Sequence, residues 1–214
     1  MRNARPGLSR WTVSVPALAF VAVLSATRAL LAAAAPPART WWQDWASTSV
    51  VNLLLHPVGA MMASVFVGSG DLVLWCMLGA LGLVTTAWRF GGWQTVLLTG
   101  AAHTIGTYLS EGLLAVRVLM HELPASNLQI EDLGPSYVVV SALCVGIVFG
   151  PTVGRLGCAV GFLSIAPELF EGLTGLDMTA VGHLCAILTG VTLAFALRHH
   201  QQRTDPQWTP AVGP

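Results

Sequence analysis

Lysine is absent from this chain, and charge of either sign is scarce. Charged residues make up 9% of 214, against about 25% in an ordinary soluble domain. All ten basic residues are arginine, which we read as genomic base composition and not as mechanism. Ten acids balance them, and a net charge of zero excludes the basic field that a nucleic-acid partner needs. Cysteine is confined to Cys76, Cys144, Cys158 and Cys185, each inside an apolar run and none in a C-x-x-C pair. That pattern excludes a disulfide framework and a zinc site, and marks the four thiols as packing residues. Neither a metal nor a cofactor is implied.

What is abundant is apolar surface: 54% hydrophobic residues and a mean hydropathy of +0.68. Such a chain is built for the bilayer, where a spanning helix takes roughly 20 apolar residues. Six stretches qualify, at 13–34, 72–88, 93–115, 137–150, 154–170 and 179–197. The expected fold is therefore all-α, a polytopic six-helix membrane domain over 13–198. A cytoplasmic N-terminus at 1–12 precedes it and a polar, proline-bearing tail at 199–214, read as disordered, follows it. Arg28 near the end of the first apolar run stands where a signal peptide would carry small residues, so that run is read as an uncleaved span.

Arginine placement orients the chain. With both termini cytoplasmic, Arg2, Arg5, Arg10, Arg89, Arg155, Arg198 and Arg203 lie on the inner side, and only Arg28, Arg39 and Arg117 lie on or near the outer side. Residues 35–71 then form a long outer segment. Its Trp41, Trp42 and Trp45 suit a headgroup belt. His56-Pro57 breaks the apolar stretch that follows, because proline lacks the backbone donor, and two short interfacial helices are expected there. A seventh crossing in this segment would reverse the arginine asymmetry downstream.

Polar groups inside apolar spans carry the chemistry. His103, Thr107 and Glu111 recur every four residues on the third span and share one helical face. Their plain reading is an inward, hydrogen-bonded stripe joining helices; the sharper one is a proton or ligand path. His183 on the last span adjoins Gly182, Ala186 and Gly190, a small face that lets another helix approach closely. A lone histidine there is an ordinary packing residue unless a partner meets it. Ser136, in E-D-L-G-P-S-Y at the outer start of the fourth span, is on its own a capping residue. Taken together, Ser136 and His183 lie at similar depth near the outer ends of their helices. Imidazole can remove the proton that makes a serine hydroxyl a poor nucleophile, so the two form a candidate Ser–His dyad lacking a carboxylate.

Six spans, a long outer loop after the first, Gly134-x-Ser136 opening the fourth and Gly182-His183 with Ala186 and Gly190 on the last resemble the rhomboid family. The likeness covers about residues 50–197, includes Trp88-Arg89-Phe90-Gly91 as a basic turn, and is closest to an actinobacterial branch. The resemblance implies an intramembrane serine endopeptidase with Ser136 as nucleophile and His183 as base. It equally admits an inactive relative that binds or escorts transmembrane segments; the bilayer and such segments are the implied partners. A small carrier built on the His103/Thr107/Glu111 stripe is a third reading, without the paired broken helices such carriers often show.

Three departures from the family pattern bear on chemistry. Tyr137 stands where the family writes a second glycine. Asp71 and Trp75 stand where His and Asn would hold the oxyanion, and no His or Asn lies between 71 and 88. Residue 135 is proline and cannot donate a backbone N–H. Losing one oxyanion donor costs about 10²–10³ in rate. Possible substitutes are the Ser136 N–H, Asn52, His56 and His103.

Overall fold

The computed structural model describes residues 10–68 and 70–204, with side chains at 13–68, 70–203. Among these residues the structure is all-helical. The expected N-terminal segment at 1–9 and the tail at 205–214 lie outside the described residues. Residues 199–204, expected in the disordered tail, instead continue the last helix.

Six helices build the body: α1 (Arg10–Ala33), α5 (Leu72–Phe90), α6 (Gly92–Leu119), α7 (Ser136–Phe149), α8 (Thr152–Leu169) and α9 (Met178–Thr204). Between α1 and α5 the chain forms a cap of three short helices, α2 (Pro36–Ala46), α3 (Val50–Leu55) and α4 (Pro57–Ser64). The α3/α4 break falls at His56, as His56-Pro57 requires; α2, built from the tryptophan segment, is a third element. Three of the six are long and apolar enough to cross a membrane by length and composition, at Val13–Ala33, Leu72–Phe90 and Met178–Arg203.

Of the other three, α8 carries Arg155, Pro167 and Glu168 among its 18 residues, and α6 and α7 fall short for separate reasons. The helix α6 is long but lined with polar residues, because its inner face carries Thr95, Thr99, His103, Thr107, Ser110 and Glu111, all buried. The helix α7 has 14 residues, about 21 Å at 1.5 Å each, less than a hydrocarbon core of about 30 Å. It needs no greater length, because α5, α6, α8 and α9 all pack on it and an unbroken run from Tyr137 to Gly146 is buried. Its first turn is therefore recessed inside the bundle.

Close approach to α7 depends on glycine. A Cβ on Gly82 would stand 3.0 Å from both the Ala142 Cβ and the Leu143 nitrogen, so α5 and α7 touch backbone to backbone there. The Thr86 hydroxyl donates to the Ala142 carbonyl at 3.0 Å across the same contact. Replacing Gly82 by leucine should destabilise the bundle by about 1–3 kcal/mol through overpacking. Gly100→Ala, which meets nothing within 4 Å, should be neutral or stabilising by up to about 1 kcal/mol. Reversible unfolding in bicelles would distinguish the two; equal effects would refute this packing.

Candidate functional site

The loop before α7 is fastened to the cap. The Thr48 N–H donates to the Asp132 carbonyl at 3.0 Å, and the Thr48 hydroxyl donates to the Asp132 carboxylate at 3.2 Å. In return the Asp132 N–H donates to the Ser47 hydroxyl at 3.0 Å. The Gly134 N–H donates to the Ser64 carbonyl at 2.8 Å, with φ of +130°, a conformation that favours glycine. Gly68 lies directly against it: a Cβ on Gly68 would come within 2.9 Å of the Gly134 Cα. So Gly134 serves the docking of loop on cap. Burial pushes the Asp132 carboxyl above its ordinary value, with Tyr137 and Thr48 beside it opposing and the charge of Asp177 adding.

Ser136 is the first residue of α7, half-buried, with Pro135 in the capping position and no side-chain cap bond. Its hydroxyl makes no hydrogen bond. His183 is 3% exposed, and its Nδ1 lies 2.9 Å from the Leu169 carbonyl. A carbonyl only accepts, so Nδ1 carries the proton and Nε2 is left as an unprotonated acceptor. That Nε2 has no hydrogen-bond partner. The structure thus holds Ser136 and His183 at one end of the bundle, and no hydrogen bond joins them.

Tyr137 stands between α6 and α9. Its ring meets His183 edge to face at a centroid distance of 5.0 Å and lies 5.9 Å from the His103 ring on the other side. Room for it comes from Gly182, where a Cβ would overlap the tyrosine hydroxyl. The rest of the small face does similar service. A Cβ on Gly106 would come within 3.0 Å of the Gly182 carbonyl and 3.1 Å of the Ala186 Cβ; one on Gly190 would meet the Ser141 Cβ at 3.1 Å. Gly182, Ala186 and Gly190 thus receive α6 and α7.

The stripe on α6 faces the same interior. His103 Nε2 donates to the Met61 carbonyl at 3.1 Å and lies 3.3 Å from the Ser64 hydroxyl, tying α6 to the cap. Its Nδ1, the Thr107 hydroxyl, both oxygens of Glu111 and the Tyr137 hydroxyl are buried without partners. Glu111 lies beside Asp132 and the Val50 N–H.

Of the substitutes considered for the oxyanion donors, the Asn52, His56 and His103 side chains are engaged elsewhere, and the Ser136 N–H makes no bond. Asn52 donates to the carbonyls of Asp44 and Ser47 at 2.5 and 2.9 Å. His56 donates to the Trp45 carbonyl at 2.8 Å while stacking on the Trp45 ring. Asp71 caps α5, accepting from Val73 and Leu74 at 2.8 and 3.1 Å. Sequence reasoning did not single out Ser47, Thr48 and Ser64, which fasten the loop. The only signal was the polar S-T-S ahead of an apolar run.

An all-helical bundle with three helices long and apolar enough to cross a membrane, and a polar interior under a cap, has the makings of a membrane protein. The family described as rhomboid-like protein matches residues 13–203, and the chain belongs to it. No curated protein matches the chain. No solved structure matches it either.

The Tyr137–Gly182 contact makes a double-mutant cycle informative. Gly182→Ala should cost about 1–3 kcal/mol in the wild-type background and much less in Tyr137→Ala, a coupling of roughly 1 kcal/mol or more. Additive costs would show that the two residues do not meet.

Proposed function

We propose that this rhomboid-like protein crosses the cell membrane six times and binds transmembrane segments of other proteins without cutting them. The crossing count rests on the six-helix body and on the enclosure of the short α7. Orientation follows from charge. Arg89, Arg155, Arg198 and Arg203 gather at one end of the bundle, and no described acid lies there. Asp44, Asp71, Glu122, Glu131, Asp132, Glu168, Glu171 and Asp177 gather at the other. Under the positive-inside rule this puts both termini in the cytoplasm and the cap outside.

One observation carries the non-catalytic reading: the side chain set against His183 is Tyr137, while the Ser136 hydroxyl has no base bonded to it. Around it, the side chains that could steady an oxyanion are missing or committed. Pro135 has no N–H, Asp71 is an acid that caps a helix, and Asn52, His56 and His103 donate to carbonyls. A nucleophile without an activated proton and with the Ser136 N–H alone to meet the developing charge has little rate to offer.

The protease reading has one observation in its favour. The Leu169 carbonyl holds His183 in the tautomer whose free Nε2 a general base requires, and the ring His183 meets belongs to Tyr137, the residue after Ser136. A fluorophosphonate probe on membrane fractions separates the two. We expect labelling of the wild-type protein no stronger than that of Ser136→Ala. Strong labelling lost in Ser136→Ala would overturn the non-catalytic reading in favour of the dyad.

A further inference from the structure

The mechanism considered above leaves Glu111 unused. Its carboxyl is 2% exposed, and neither oxygen has a hydrogen-bond partner. A buried carboxylate in this state is costly, and groups of this kind inside membrane proteins face a partner or a site. Around it the unpartnered atoms include further acceptors: the Thr107 hydroxyl one turn away and the Tyr137 hydroxyl, with the Asp132 carboxylate beside them.

Among the described residues no cation is supplied here. Arg28 is bound to the carbonyls of Gly68 and Gly70. Arg39 covers the carbonyls of Leu31, Ala32 and Ala34 at the end of α1. Arg117 pairs with Glu122 and with the carbonyls of Gly175 and Leu176. The two neighbouring imidazoles donate to Met61 and Leu169. What the site lacks is a donor with positive charge and no acceptor of its own, which describes an ammonium or a guanidinium.

Depth narrows the source. Glu111 lies about 8 Å from the midpoint of α6 towards the cap, at 1.5 Å per residue. With a hydrocarbon half-thickness of about 15 Å, it sits inside the bilayer near its outer boundary. A cation reaching it from a water-soluble ligand would have to pass the cap. A basic side chain borne on a membrane segment would arrive at that depth already, with its long stem in lipid.

We propose that Glu111, with Asp132, recognises a lysine or arginine carried in the outer half of a client transmembrane segment. This rests on the segment-binding reading above and names the chemistry of the segment. The start of α3 stands over the carboxyl at the Val50 N–H, and α4 follows it over His103. They are held to the bundle by a few polar contacts, Thr48–Asp132 and Ser64–His103 among them, and those contacts are what a client displaces. Two acids facing one cation exchange a costly buried charge for a charge-assisted pair.

The test uses the full chain reconstituted in lipid nanodiscs and three synthetic single-span peptides. They differ at one position near the outer boundary, bearing lysine, methionine or glutamate, and association is read by energy transfer. The lysine peptide should bind at least about tenfold more tightly than the methionine peptide, and the glutamate peptide most weakly. Glu111→Gln should remove the lysine preference and keep methionine binding; Asp132→Asn should reduce the preference. Equal binding of lysine and methionine peptides to the wild-type protein overturns the inference and leaves segment binding standing. So does a preference that survives Glu111→Gln. No association of any peptide overturns both. The wild-type comparison needs no variant to fold.

Discussion

A tyrosine ring lodged over a glycine governs the arrangement of the capped end of this bundle. Tyr137 reaches from α7 towards α9 only because Gly182 lacks a Cβ, and once there it lies against His183 on one side and near His103 on the other. The consequence runs from packing to chemistry. A small residue at 137 would leave space beside His183; a buried aromatic fills it. His183 is then held from the opposite side by the Leu169 carbonyl, which fixes its tautomer without help from Ser136.

A second constraint is the solvent. In lipid, unpaired polar groups are expensive, so a membrane bundle turns them inward, and α6 does so with a complete polar face. That face keeps α6 out of the three helices apolar enough to cross a membrane by length and composition. The enclosure of α7 has a related effect, since a helix walled by protein need not match the bilayer thickness. The two irregular helices are the ones on which the polar interior depends. The regular ones, α1, α5 and α9, expose apolar residues such as Leu18, Met77 and Leu188.

Much of this architecture was legible in the sequence, because apolar run length and proline positions are local signals. Five of the six body helices fall within a few residues of their expected ranges, the last runs seven residues past its expected end, and His56-Pro57 separates α3 from α4 as proline chemistry demands. The inward face of His103, Thr107 and Glu111 followed from their four-residue spacing. The partner of Gly182 was not legible: spacing shows that a small face exists, but not which side chain fills it. Nor could the sequence reveal that Asn52, His56 and His103 spend their donors on carbonyls, since each of those bonds joins residues between 5 and 42 positions apart. The hydroxyl clasp of Ser47 and Thr48 on Asp132 spans 84 or 85 positions and left no mark in the local pattern.

The account turns on what His183 is bonded to, and nitrogen NMR of that ring in the reconstituted protein measures it directly. The structure calls for a neutral imidazole protonated at Nδ1, with an Nε2 resonance free of hydrogen bonding and unmoved by Ser136→Ala. An Nε2 resonance that shifts when the serine hydroxyl is removed would place Ser136, and not Tyr137, against the base, and would contradict the arrangement described.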